Sequence, residues 1–363
     1  INNLLAGLSS SSILYNDTLN APAGTTTLTM LVNDQGNTGS GGALTNSIVR
    51  NINIAAVNDA PILSTTGSVG GAYVENASAI SLVSGTITSG DVDTTNFNGG
   101  TLTTSFASYV AGDVLSVNNQ GTGAGQIGVS GANITYGGVT IGTFTGGTGS
   151  NLVVTLNSNA TSVAVQALVG QLRYVSTSDD PTSNGAANSR AVTVTLNDGG
   201  NSGSGGPLTA SISGTLNITA YNDAPTLSAT GTNGTFTENG SATPVFSGAS
   251  VSTIETGQNI TSLTFTVSGL VNGTSEKIIV DGTTINLVNG TGTTTTNGMT
   301  YNVTVSSGTA TVVLTKPAGV STANMTTLVN GMTYQNTGDD LASGTRTATI
   351  TQIVDSGSST LPN

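Results

Sequence analysis

The sequence predicts an all-β protein built as a tandem, elongated array of β-sandwich domains. Three observations carry that reading: apolar and polar residues alternate over short runs, Thr and Val dominate those runs, and the pattern recurs after 164 positions. Period-two alternation marks a strand with one buried face, and β-branched side chains suit a pleated surface. In chain order the clearest strands are IVRNINIA (48–55), RAVTVTL (190–196), GTLNITA (214–220), LTFTVSG (263–269) and ATVVLTK (310–316). Asp281-Gly282, between EKIIV and TTINLV, reads as a tight hairpin turn, and SSG (306–308) joins two more strands. Gly and Asn clusters punctuate the rest, as expected of many short antiparallel strands. No stretch keeps a helical period over three turns.

Composition narrows the function. Six basic against eighteen acidic residues give 6 − 18 = −12. So few cations argue against nucleic acid and anionic membrane surfaces as partners. The chain has no Cys and no His, which removes disulfides, thiolate chemistry, Ser-His-Asp nucleophiles and most zinc, copper and haem sites. Oxygen ligands remain, and they suit calcium. No apolar run approaches the length of a membrane span. The start, INNLLAGLSS, lacks Met and a basic n-region, so we read no signal peptide and expect an internal piece of a longer protein.

Self-comparison sets the domain organisation. LVNDQGNTGSGG (31–42) matches TLNDGGNSGSGG (195–206), NDAP occurs at 58–61 and 222–225, and YVENAS (73–78) matches FTENGS (236–241). LRYVSTSDDP (172–181) matches MTYQNTGDDL (332–341), each followed by an Arg and an alternating strand. One complete unit therefore spans about 62–225. A second spans 226–363 and lacks its last strand, while 1–61 resembles only the closing portion of a unit.

The acidic residues follow this repeat. Asn58-Asp59-Ala60-Pro61 alone reads as a turn, because Asn and Asp bond their own backbone and Pro ends the strand. Glu75 stands sixteen residues after Asp59, and Asp91-Val92-Asp93 begins sixteen later. In an extended Asp-x-Asp both carboxylates point to one side. Clustered carboxylates without Lys or Arg call for a cation, and calcium takes six to eight oxygens at about 2.3–2.6 Å.

VNDAP, the Glu-Asn of YVENAS, DVD, GDVL (112–115), LRYVSTSDDP and VTLNDGG together resemble the cadherin-like repeats of very large bacterial surface adhesins. The unit from 226 resembles a sister type, through VNGTSEKIIVDGTTINL (271–287) and NGMTYNVTV (297–305). The resemblance covers nearly the whole chain. It implies immunoglobulin-like sandwiches strung end to end, with calcium stiffening the joints. By that resemblance Asn58, Asp59, Asp91 and Asp93 would ligand the first joint, and Glu75, Asp179, Asp180 and Asp223 would contribute near the second. A unit of about 164 residues exceeds a minimal sandwich of roughly 100, so extra strands or loops are expected.

At the second joint VSTIETGQN (251–259) replaces GDVDTTN (90–96) and keeps only Glu255 of the acidic pair, so a poorer ligand set is expected there. Asp34 and Asp198, each before a Gly-Ser loop, read either as turn residues or as further metal ligands. Asp179-Asp180 and Asp339-Asp340 carry the same two readings. DVDTTNFNGG starts like an EF-hand loop but lacks its Gly and its final Glu, and GAGQIG (123–128) has no helix to open. Lys277 or Lys316 could join an Asn side chain in an intramolecular amide. Tyr174 and Tyr334 read as core or corner tyrosines. The expectation is a non-enzymatic, extracellular stalk or fibre body whose partners are neighbouring repeats. A self-assembling filament or sheath, and a glycan- or protein-binding module, are the alternatives.

Overall fold

The computed structural model describes residues 13–200 and 202–357. Its strands dominate, and the protein is all-β. The chain divides into two compact units. Unit 1 comprises 1–72, 78–175 and 190–217, and unit 2 comprises 73–77, 176–189 and 218–363. None of the described helices is long and apolar enough to cross a membrane.

In unit 1 the strands Thr25–Asn33 and Thr45–Asn53 form a two-stranded hairpin in register Thr25↔Asn53 to Asn33↔Thr45. An eight-stranded sheet runs in the spatial order 70–74, 209–219, 189–197, 101–106, 152–156, 139–146, 133–136 and 127–130. A three-stranded sheet of 80–81, 172–176 and 113–117 belongs to the same repeat. The strand Thr101–Phe106 shows why the alternation is diagnostic. Leu102, Thr104 and Phe106 are buried, while Thr101, Thr103 and Ser105 face outward. Its partner Ser189–Asn197 buries Val192, Val194 and Leu196 completely.

Unit 2 repeats the plan. A five-stranded sheet is ordered 290–293, 300–306, 309–320, 260–268, 347–355, and a four-stranded sheet is ordered 243–244, 333–336, 276–280, 283–286. Leu263, Phe265, Ile278, Val312, Leu314, Met325 and Met332 fill the core. Asp281 and Gly282 both have positive φ, as the tight hairpin turn requires, and so do Ser307 and Gly308.

Two nine-residue helices, Ser162–Gly170 and Thr322–Asn330, interrupt the strands at matching positions of the two repeats. Each follows a hydroxyl cap: Thr161 accepts from the amide of Ala164, and Ser321 from that of Asn324. At nine residues they make two and a half turns, too short for the period to stand out in the sequence.

Among the described residues each unit holds an ion pair on a buried carboxylate. Arg190 Nε lies 2.8 Å from Asp113 Oδ2, and both side chains are almost wholly inaccessible. Tyr174 donates its hydroxyl to Asp113 Oδ1 at 2.7 Å, and the Val110 amide donates to Oδ2 at 2.8 Å. In unit 2 the same three roles fall to Arg346, Glu276 and Tyr334, at 2.6 Å and 3.0 Å, with the amides of Val271 and Asn272 on the other carboxylate oxygen. Burial pushes the Glu276 carboxyl up, but the Asn272 amide, Arg346 and Tyr334 outweigh it and hold the group below its ordinary value. Burial and the bond to Glu276 push the Tyr334 hydroxyl up to about 12. Tyr174 is a core residue, whereas Tyr334 is partly buried and packs against the core of unit 2.

Candidate metal centre

In unit 1 the residues around the first NDAP converge. Asn58 is buried, and its Nδ2 donates to Asp198 Oδ2 at 2.8 Å and to the Gly206 carbonyl at 3.0 Å. The Asp59 amide donates to Asp93 Oδ2 at 2.6 Å. Asp91 Oδ1 accepts from the amides of Asp93 and Thr94 at 2.8 and 3.3 Å, while its Oδ2 is buried with no partner. Burial raises the Asp91 carboxyl, and the charges of Asp93 and Asp198 raise it further. Asp91–Asp93 is a bend rather than an extended strand. Asp91 and Asp93 are therefore drawn together by an Asx turn, and not by the strand geometry expected from Asp-x-Asp.

Asp198 spends its oxygens on structure. Oδ1 accepts from the amides of Gly200 and Leu208 at 2.8 and 3.0 Å, and Oδ2 takes Asn58. Asp34 closes its own loop in the same way, through Gly36 and Leu44 at 2.9 and 2.8 Å. The Leu44 amide, followed by that of Gly36, holds the Asp34 carboxyl below its ordinary value. Both residues serve as loop clamps, the turn reading of the sequence, and only Asp198 stands beside other acids.

Unit 2 holds the richer cluster. Glu75 is 2 % exposed; its Oε2 accepts from the Tyr221 amide at 2.7 Å and its Oε1 is buried without a partner. The Asp223 amide donates to Glu255 Oε1 at 2.9 Å, leaving Glu255 Oε2 and Asp223 Oδ2 buried and unpaired. Asn222 accepts from Gln258 Nε2 at 2.7 Å and donates to Asp355 Oδ1 at 3.2 Å. Gln258 Oε1 and Asp355 Oδ2 add two more buried oxygens without partners. Burial is the main cause that raises the Glu75 carboxyl, to about 7, with the charges of Asp223, Glu255 and Asp179 adding to it. Asp223 and Glu255 are raised for the same reason, burial first, with neighbouring carboxylates next. Asp179 is exposed within this field, whereas Asp180 accepts the Asn184 amide at 2.9 and 2.8 Å and closes a turn.

Both clusters use one scheme. An NDAP aspartate amide binds the acid some thirty residues on, Asp93 or Glu255, and the preceding Asn binds the acid ending a long strand, Asp198 or Asp355. The ion pairs described lie elsewhere, at Asp113 and Glu276. Buried carboxylates with no cation must be protonated or must hold one. Among the described residues no three acidic side chains form a ready-made metal cage. A cation here would draw its oxygens from Asn, Gln and carboxylates together, and the hard oxygen donors left unpaired suit calcium. The sequence expectation of a poorer second set is reversed in one respect, since unit 2 presents more unpaired buried oxygens than unit 1. The missed contributors were Asp355 and Gln258. Asp355 was legible in part, because RTATITQIVD parallels RAVTVTLND.

No known family model matches the chain, and no curated protein matches it.

Proposed function

We propose that the chain is an extracellular structural segment, the stalk or fibre body of a bacterial surface adhesin. In this reading it is made of tandem immunoglobulin- and cadherin-like sandwiches with joints at 58–61 and 222–225. The observation that carries the reading is the set of buried, unpaired carboxylate oxygens on Glu75, Asp223, Glu255 and Asp355 gathered around the second NDAP. An enzyme would concentrate its chemistry in one place, whereas here the same acidic scheme occurs twice, at equivalent positions.

Glu75, Asp223, Glu255, Asp355 and Gln258 would hold calcium at the second joint, with Asp179 at its rim. Asn58, Asp59, Asp91 and Asp93 would do so at the first, with Asp198 orienting Asn58. A bound calcium supplies the positive charge that lets these carboxylates stay ionised side by side. The linker aspartate, anchored through its amide, is then fixed to strands before and after it. Without the cation the acids repel and the linker loosens. A cation that binds only the folded state also stabilises it, by about 2.7 kcal/mol at a hundredfold excess over its dissociation constant.

The test is a thermal melt of the chain in calcium and in chelator, beside Glu75→Gln/Glu255→Gln and Asp91→Asn/Asp93→Asn. A calcium-dependent rise in Tm that shrinks in each double variant is expected. Equal melts for the wild type with and without calcium would overturn the metal reading, leaving both NDAP segments as turns.

A further inference from the structure

A loop that holds a strand in unit 1 occurs a second time with its binding face exposed. DGGNSGSGGPL (198–208) repeats DQGNTGSGGAL (34–44), with eight of eleven residues identical. The later loop lies on the linker that leads into its own repeat. The Asn58 amide donates to the Ser204 carbonyl at 2.8 Å and the Ser204 amide to the Ala56 carbonyl at 3.0 Å, a parallel bridge between Val57 and Ser204. Asn58 adds its side chain, which donates to Asp198 Oδ2 at 2.8 Å and to the Gly206 carbonyl at 3.0 Å. The linker runs so close that a Cβ on Gly203 would stand 2.8 Å from the Asn58 nitrogen. Main-chain bonds thus hold an extended strand, and a carboxylate selects Asn, the division of labour seen in strand addition.

The earlier loop has the same shape. Asp34 Oδ1 accepts the amides of Gly36 and Leu44, as Asp198 Oδ1 accepts those of Gly200 and Leu208. Positive φ recurs at five matching positions: +60°, +67°, +91°, +138° and +76° at 35, 36, 39, 41 and 42, against +81°, +63°, +71°, +125° and +72° at 199, 200, 203, 205 and 206. Residues 37–42 are exposed, and Gly39, Gly41 and Gly42 have open space where a Cβ would point. The loop therefore takes its binding shape before any strand lies on it, which lowers the ordering cost of docking.

We propose that loop 35–42 is a docking site for an extended linker strand of the AAVNDAP type, held as 199–206 holds Ala56–Asn58. Ser40 supplies the bridging amide and carbonyl, Asp34 the second carboxylate oxygen for the Asn side chain, and Gly39 the clearance for the strand's backbone. The partner is a linker leading into a repeat, because that is what the sister loop holds. No cation takes part, so the proposal stands apart from the metal reading.

The chain has no Cys, so one introduced thiol reports on one place. Ser40→Cys, kept folded in chelator, is equilibrated in glutathione buffer with the peptide AAVNDAP carrying Cys in place of Val. A second peptide also carries Ala in place of Asn. Thiol exchange reads weak docking as the yield of mixed disulfide. Capture of the Asn peptide should exceed that of the Ala peptide at least about tenfold, because a hydrogen bond to a carboxylate is lost. Adding Gly39→Ala should bring the two peptides level, since its Cβ meets the strand. Equal capture of both peptides by Ser40→Cys would overturn the proposal, and so would an Asn preference that survives Gly39→Ala.

Discussion

Glu75 illustrates how one carboxylate is set by its surroundings. It is covered on all sides, receives a single amide hydrogen bond, and faces three other acids. Its carboxyl is raised to about 7, first by burial, so the folded state holds its proton more tightly than the unfolded chain does. Stability from this group is present below its ordinary value of 4.5 and is lost as pH climbs through about 7. In chelator, the urea midpoint of unit 2 should therefore fall between pH 5 and pH 8. Glu75→Gln should flatten that decline, because the amide cannot ionise, and calcium should flatten it in the wild type. A wild-type midpoint that rises across this range without calcium would show that Glu75 is not the controlling group. The neighbouring acids differ for local reasons. Asp180 is consumed by a turn to Asn184, whereas Asp179 beside it stays exposed, and adjacent identical residues in the sequence carry no sign of that difference.

At the scale of elements, the strands follow from alternation, and the helices follow from caps and from a buried apolar stripe. Ala164, Val165, Leu168 and Val169 all face the core, so SVAVQALVG is helical by packing more than by intrinsic preference. Its start depends on Thr161, whose hydroxyl accepts the Ala164 amide. Thr161→Ala should cost about 1 kcal/mol, read as a lower denaturant midpoint with unchanged slope, and Thr161→Ser should retain most of the stability. Gly70 shows a different constraint. It adopts φ +99°, and a Cβ there would meet the Thr215 carbonyl, so no other residue fits that strand pairing.

For the whole molecule, the repeated buried ion pair is the most informative feature. Asp113, Arg190 and Tyr174 in unit 1 are matched by Glu276, Arg346 and Tyr334 in unit 2. These pairs employ two of the chain's six basic residues in interiors. Removing one member leaves a buried charge alone, which costs about 3–5 kcal/mol. Arg190→Ala should thus lower the melting transition of unit 1, and Arg346→Ala that of unit 2, with the other transition little changed in each. Calorimetry that finds both transitions shifted equally by either variant would show that the two units unfold as one.

Much of this was legible in the residues. Period-two runs, the Asp-Gly turn, the 164-residue repeat and the matched Tyr and Arg positions determined an all-β chain with repeated polar features, because strand alternation and turn chemistry are local. Asn58, Asp59, Asp91 and Asp93 were grouped by the resemblance to cadherin-like repeats, and they lie within thirty-six residues of one another. For the second cluster the resemblance already pointed to Glu75 and Asp223, and the repeat to Glu255; the addition of Gln258 and Asp355 was decided only by tertiary structure. Glu75, Asp223, Glu255 and Asp355 are spread over some 280 positions, and only the folded sheets bury one oxygen of each without a partner. Which acids close turns and which stay unpaired depends on where backbone amides point, and that direction exists only once the sheets have paired.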